Sequence, residues 1–196
     1  AGAVGLYGGT NDIGRCDPAK LVAFLGSESA KAQAWVAALN ADPNLRWGNN
    51  QPLTVADIPA YVAQLTSLVL LTDTLVTNHG FANGSPTPFQ TVLQAGTAVL
   101  VDRYGVPRVR CMCGNPLLPP ATPPAKPTIT GKEWPGFSLT NVITIVNVVN
   151  VIDQFQVVPY PGGGTPIAIP AGTCNPADPS TCGPPGPAGF VPTNAP

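Results

Sequence analysis

The sequence predicts an α+β fold in which short N-terminal helices pack on a mainly antiparallel β-sheet. Three observations predict it: apolar residues at helical spacing before residue 66, β-branched runs after it, and a proline content that rises along the chain. Residues 1–115 hold seven of the 25 prolines, and residues 116–196 hold the other eighteen. We therefore expect one domain over residues 1–160 and an irregular Pro/Gly-rich tail over residues 161–196.

The helical part is expected over residues 16–66. Asp17-Pro18 is typical of an N-cap followed by Pro at the first helical position, and Gly26 should end that helix. Ser29 begins a second apolar stripe that ends near Asp42-Pro43. Thr54 and Asp57 resemble a capping box before a third helix.

The β-rich part is expected over residues 67–115, with strands predicted at Leu68–Thr77, Gln90–Val101 and Val106–Cys113. A turn at Asp102–Gly105 joins the last two as a hairpin. Residues 116–131 are predicted as a Pro-rich surface connector, since six prolines between Pro116 and Pro127 remove the donors that a ladder needs. C-terminal strands follow over residues 132–160, where 139–158 is one long strand or two strands with a bend.

Composition excludes several classes of protein. Nine Lys or Arg against ten Asp or Glu give a net charge of −1, and no basic run indicates nucleic-acid or anionic-membrane binding. The longest apolar stretch, residues 142–152, is far shorter than a membrane span, although a membrane anchor upstream is compatible with the sequence. Neither glycine run has the context of a phosphate-binding loop, and we expect no cofactor.

Five cysteines indicate an oxidising compartment outside the cytoplasm. Cys174 and Cys182 enclose a short polar loop and are predicted to form a disulfide that cross-links the tail. Cys111 and Cys113 lie two apart at a predicted strand end, so Cys16 is expected to pair with either of them, and one thiol is left over. Zinc held by Cys16, Cys111, Cys113 and His79 is the less favoured alternative, because a C-x-C pair in a strand presents both sulfurs poorly. We therefore predict no metal.

Several segments carry a family resemblance: Tyr7-Gly-Gly-Thr10 leading to Cys16-Asp17, Thr77-Asn-His-Gly-Phe81, Val92–Asp102, Gly105–Leu117 and Trp134-Pro-Gly-Phe137. Together they resemble an actinobacterial extracytoplasmic domain of unknown function, over about residues 5–137. The resemblance implies a location behind a signal peptide or membrane anchor, and it implies no reaction. Members of that family usually carry a further cysteine before the Tyr-Gly-Gly segment, which residues 1–6 lack.

Few residues suggest chemistry. His79, the only histidine, is expected in a loop after a strand, with its ring bonded to backbone rather than acting as a general base. Arg108 and Arg110 are expected on one strand face, where they could hold a carboxylate or phosphate, face solvent, or pair with acids such as Asp102. Trp47, among Asn, Gly and Arg residues, is predicted to be an exposed contact residue.

The sequence therefore predicts a non-enzymatic binding or assembly module of the cell envelope or cell surface, and a subunit of a larger complex or filament is a variant of the same prediction. We expect a protein partner or a second copy to cover residues 139–158, including Ile143, Ile145 and Val149, because both faces of that strand are apolar. Two other classes compete with this interpretation. One is a hydrolase of envelope polymers that uses His79, and the other is a ligand-sensing ectodomain with a closed apolar pocket.

Overall fold

The computed structural model describes residues 16–121, 129–145, 150–159, 165–172 and 188–190. Three α-helices come first: α1 (Pro18–Ser27), α2 (Ser29–Asn40) and α3 (Ile58–Ala63). Ten strands follow within the described ranges: β1 (Thr66–Leu70), β2 (Thr74–Ala82), β3 (Ser85–Leu93), β4 (Ala98–Val101), β5 (Pro107–Arg110), β6 (Asn115–Leu118), β7 (Ile143–Thr144), β8 (Gln154–Pro159), β9 (Ile167–Pro170) and β10 (Ala188–Phe190).

The predicted helix starts are confirmed. The Asp17 carboxylate accepts a hydrogen bond from the Lys20 backbone N–H, and Pro18 occupies the first helical position of α1. Thr54 and Asp57 form the predicted capping box, which begins a short 3-10 turn that leads into α3. Helix α1 ends at Ser27, one residue beyond the predicted Gly26.

The sheet is curled and mostly antiparallel. Its strand order is β3-β2-β6-β5-β4-β1-β10-β8-β9, with β7 pairing beside β2. Among the strands of the described ranges, only β1 with β10 and β2 with β7 pair in parallel. The predicted hairpin between β4 and β5 is present, and Gly105 in its turn has a φ of 76°.

A second hairpin, formed by β2 and β3, was not predicted. Its turn is Asn83-Gly84, and both residues have positive φ, at 51° and 77°. This is the geometry of a two-residue turn that matches the twist of its strands. His79 therefore lies inside strand β2 and is buried, and the predicted loop position is wrong.

Each face of the sheet carries its own apolar core. The first core lies between the helices and the sheet, where Trp35, Leu39 and Val62 pack against Leu100 and Val109. The second core covers the opposite face, and it is closed by side chains from the C-terminal third of the chain. They are Ile145, Phe155, Val157 and Ile169.

The sequence predicts one long strand or two strands with a bend over residues 139–158, and the described residues of this region form two separate strands. A 3-10 turn at Leu139–Asn141 precedes the two-residue strand β7, and β8 begins only at Gln154. Ile145 is 2% exposed within the second core, so the chain itself covers a residue for which the sequence predicts cover by a partner. Alternating β-branched residues indicated strand, but they do not reveal where a chain bends to cover its own sheet. Val149 lies outside the described residues.

The predicted surface connector begins later than expected. Asn115–Leu118 form strand β6 between β5 and β2, and Pro116, Leu117 and Leu118 are buried. The ladder tolerates Pro116 because β6 pairs with β2 only through Leu117 and Leu118. Residues 122–128 of the predicted connector, and both Cys174 and Cys182, lie outside the described residues.

Candidate functional site

A cleft of about 370 Å³ lies between helices α1 and α2 and the β2–β3 hairpin. We call it the helix–hairpin cleft. The lining residues come from three segments: Phe24, Leu25, Lys31, Ala34 and Trp35 from the helices, His79, Gly80, Phe81 and Pro86 from the hairpin, and Cys113, Gly114, Asn115 and Pro116 from the turn before β6 and its first residues. Its volume is in the range of small-ligand sites, and its lining is largely apolar.

Aromatic rings form much of this lining. Trp35 is buried, and its indole Nε1 donates a hydrogen bond of 3.0 Å to the Gly114 carbonyl, which ties α2 to the turn before β6. Phe81 remains 45% exposed at the hairpin. The Lys31 ammonium lies 4.9 Å from the centre of the Phe24 ring and also pairs with Glu28 at 3.2 Å. The cleft therefore combines a fixed tryptophan with a solvent-facing phenylalanine and one cation.

His79 lies in β2, one residue beyond the last backbone pair between β2 and β6. Asn78 pairs with Leu117, so the next antiparallel pair would join His79 to Pro116, which has no N–H. Side chains replace the missing ladder bonds: His79 Nδ1 lies 3.1 Å from the Pro116 carbonyl, and the His79 N–H donates to Asn78 Oδ1. Since a carbonyl only accepts, Nδ1 carries the proton, and Nε2 is left as an acceptor in the neutral ring.

The protonation of His79 follows from its surroundings. Burial lowers its pKa below the ordinary value of 6.5, and the bond to the Pro116 carbonyl acts in the opposite direction. The ring is therefore neutral near pH 7. Within the part of the chain that the structure describes, the His79 ring makes its hydrogen bond to a backbone carbonyl, and no carboxylate or hydroxyl bonds to it.

Cys113 is the free thiol of the cleft. Cys16 bonds to Cys111, with the two Cα atoms 5.2 Å apart, and this resolves the two predicted pairings. Cys111–Gly114 form a turn rather than a strand end, so the two cysteines of the C-x-C pair need not face one neighbour. Burial raises the pKa of the Cys113 thiol, which is half-buried. The raised pKa keeps the Cys113 thiol in its neutral form near pH 7, and Cys113 and His79 both line the cleft.

Arg108, a predicted binding residue, is entirely buried in an ion-pair cluster. Its Nη1 lies 2.6 Å from Asp42 Oδ2, and its Nε lies 2.6 Å from Asp102 Oδ2. Asp102 Oδ1 accepts backbone bonds from Tyr104 and Val106 and so closes the predicted turn. Pairing with Asp102 is confirmed, whereas a role for Arg108 in binding an external ligand is wrong for this fold. Burial also raises the pKa of the neighbouring Tyr61 hydroxyl far above its ordinary value.

A register shift separates Arg108 from Arg110. Leu100 pairs with Val109 but Val101 pairs with Pro107, so Arg108 is the extra residue of a β-bulge. A bulge re-aims a side chain, and here it allows Arg108 to reach Asp42 at the end of α2. Arg110 pairs with Val99, whose side chain lies in the second core, so the two arginines do not share a face as predicted.

The remaining predicted contact residues lie apart from the cleft. Trp47 is half-buried and packs edge-on against Tyr61, with ring centroids 5.6 Å apart, so it belongs to the periphery of the first core. Ile143 is half-buried in β7. Among the described residues, no group of three or more His, Cys, Asp or Glu side chains is placed to hold a metal ion.

Sequence reasoning missed the residues that build the cleft. Apolar spacing places Phe24 in a helix stripe, and the predicted strand bounds do not mark Phe81 or Pro86 as site residues. The signal was present, because Asn-Gly between two strand-like segments is a strong indicator of a hairpin. Once the hairpin is recognised, Phe81 and Pro86 become a cross-strand pair on one face.

The fold and site define an α+β domain with a disulfide-linked N-terminal helical layer and an open apolar cleft. The chain belongs to the family described as "Domain of unknown function (DUF6777)", whose model matches residues 1–165. No curated protein and no solved structure matches the chain. None of the helices in the described ranges is long and apolar enough to cross a membrane.

Proposed function

We propose that this domain is a non-enzymatic binding or assembly module that works outside the cytoplasm, in the cell envelope or at the cell surface. The observation that carries the proposal is the helix–hairpin cleft, whose lining includes both Trp35, fixed by its bond to Gly114, and the exposed Phe81. Aromatic side chains in a preformed concave surface are the residues that dominate protein recognition. The occupant that suits this lining is an apolar or aromatic segment of a partner protein.

The state of His79 and Cys113 supports binding rather than catalysis. A general base needs a group whose proton it can take, and the His79 ring instead bonds to a backbone carbonyl that replaces a ladder bond. The Cys113 thiol has a raised pKa, which disfavours the thiolate that a nucleophile requires. Both side chains contribute surface to the cleft.

The edge of β3 argues for binding in the cleft rather than strand addition beside the hairpin. Ala82 and Ser85 flank the two-residue turn and form its closing pair, so Pro86 and Pro88 fall at alternate positions whose backbone nitrogen faces outward. Proline has no N–H to donate, so this part of an end strand cannot pair with another chain through those positions. The partner is therefore expected to contact side chains on the helix-facing surface.

Site-specific crosslinking tests the cleft. A photoreactive phenylalanine analogue placed at Phe81 should give a discrete adduct with the partner in cells that make this protein. The matched control is the same analogue at Phe89, which is equally exposed at 47% but lies on the opposite face of the hairpin. Equal adducts from both positions, or none from Phe81, would contradict the proposal.

The location is supported by the Cys16–Cys111 disulfide, since such bonds persist in oxidising compartments. Mass mapping of non-reduced peptides, from protein isolated from its native compartment, should recover this bond. The predicted Cys174–Cys182 bond is tested by the same peptides. Five free thiols in that material would contradict a location outside the cytoplasm.

A further inference from the structure

A second cavity, of about 340 Å³, lies on the face of the sheet opposite the helices, and we call it the Arg110 cavity. It is lined by the segment Thr91–Thr97 together with Arg110 and Trp134. The Asp73 carboxylate connects Trp134 to the Thr91–Thr97 segment, because it accepts hydrogen bonds from the Ala95 N–H at 2.8 Å and from Trp134 Nε1 at 3.2 Å. The cavity is therefore built by specific polar contacts.

Arg110 brings an uncompensated positive charge to this cavity. Arg103 pairs with Asp153, and Arg108 pairs with two carboxylates, but no carboxylate of the described residues lies within ion-pair distance of Arg110. Its described side-chain contact is a weak one, from Nη2 to the Met112 sulfur at 3.7 Å, and its buried Nε has no acceptor. Holding a guanidinium in this state costs free energy unless another acceptor is supplied.

We propose that the Arg110 cavity binds the carboxylate of a small organic acid or of a peptide C-terminus. Among the described residues that line it, the cavity offers one guanidinium and no second cation, which matches the single charge of a carboxylate better than the double charge of phosphate. The negative Asp73 behind Trp134 and Ala95 also disfavours a dianion. The half-buried Trp134 ring provides an apolar wall for the substituent next to the carboxylate. This site is independent of the helix–hairpin cleft.

Binding is measured by calorimetry and by NMR on the full chain, with benzoate and N-acetylphenylalanine as probes. N-acetylphenylalanine amide, which lacks the carboxylate, and inorganic phosphate are the comparison ligands. Both carboxylate probes should bind, and Arg110→Met should lower the affinity for each of them at least tenfold. Arg110→Lys keeps the charge but loses the planar fork, so it should weaken binding less than Arg110→Met. Arg46→Met is the matched control, since Arg46 is exposed and bonds Asn50 elsewhere.

The relative affinities of the two probes distinguish the source of the carboxylate. Preference for N-acetylphenylalanine over benzoate identifies a peptide C-terminus, and the reverse preference identifies a small acid. If Arg110→Met does not fold, the side-chain N–H signal of Arg110 and the indole signal of Trp134 in the wild-type protein should shift with either acid. The proposal is overturned if the amide or phosphate binds as well as the acids, or if Arg110→Met binds them like the wild type.

Discussion

Arg108 shows how one buried charge depends on its partners. A guanidinium that loses all contact with water is stable only when carboxylates and hydrogen bonds replace the solvent, and Asp42 and Asp102 supply these at 2.6 Å each. The sequence could indicate Asp102 as a partner because it lies six residues away in the same hairpin. It could not indicate Asp42, which is 66 residues away, or the bulge that allows the two side chains to meet.

Removing this cation should strongly destabilise the fold. Arg108→Met leaves two carboxylates buried without their counter-charge, and we expect the free energy of unfolding to fall by about 3–5 kcal/mol in urea titrations. Arg103→Met is the control, since Arg103 and Asp153 are 42% and 83% exposed, and its effect should stay below about 1 kcal/mol. Equal losses in the two variants would show that the cluster does not act as described.

His79 should make stability depend on pH. Its pKa is lowered in the folded state, so the unfolded chain binds a proton more readily as the pH falls through about 6.5. Protonation therefore favours unfolding, and stability should be full above pH 7 and decline toward pH 5.5. His79→Asn keeps a donor near the Pro116 carbonyl but does not titrate. Thermal melts at pH 7.5 and 5.5 should show a smaller difference for that variant, and an unchanged difference would exclude His79 as the titrating group.

Local signals defined the helical elements better than the strands. The contacts that begin α1 and α3 involve residues three apart, and such short-range chemistry is visible in a sequence. The strands from β2 to β5 have other bounds than predicted, and β6 was not predicted as a strand, because strand partners are set by distant pairings and by the Asn83-Gly84 turn. The helix–hairpin cleft depends on that turn, so the site was missed together with it.

The Asn83-Gly84 turn can be tested by a pair of glycine substitutions. A Cβ at Gly84 and a Cβ at Gly26 would both enter open space, but only Gly84 has a positive φ, of 77°. Gly84→Ala should cost about 1–2 kcal/mol of stability because an L-residue is strained there. Gly26→Ala, within α1, should instead stabilise by about 0.4–1 kcal/mol. Chemical denaturation of both variants measures the contrast, and a similar effect at both sites would contradict the assigned turn.

At the scale of the whole molecule, the sheet separates two cores that are completed by different parts of the chain. The helices that close the first core are linked to the end of β5 by Cys16–Cys111. Among the described residues, Ile145, Phe155, Val157 and Ile169 cover the second core from the C-terminal third of the chain. Because both faces of residues 139–158 are apolar, the sequence predicts that this region is covered. It does not specify whether the covering residues belong to the same chain.

The disulfide should contribute substantially to stability. It joins residues that are 95 apart in the sequence. In the entropic model, a cross-link over a loop of that length raises the free energy of unfolding by about 4–5 kcal/mol, and measured increases are commonly about 2–4 kcal/mol. The double variant Cys16→Ser with Cys111→Ser should have a lower melting temperature, and reductant should lower that temperature less than it does in the wild type. Cys113→Ser is the control and should melt near the wild type, with its reductant response intact. A double variant that melts like the wild type would contradict a stabilising bond.

The late position of the second core's cover has a consequence for biosynthesis. Leu68, Leu70 and Val76 emerge from the ribosome long before Phe155 and Ile169, which bury them. A nascent chain therefore carries a bare apolar sheet face until its last third is made, and contacts between such distant segments form slowly. We expect this protein to need chaperone protection during synthesis, and a chain that stops near residue 140 to aggregate even though its helices and central strands are complete.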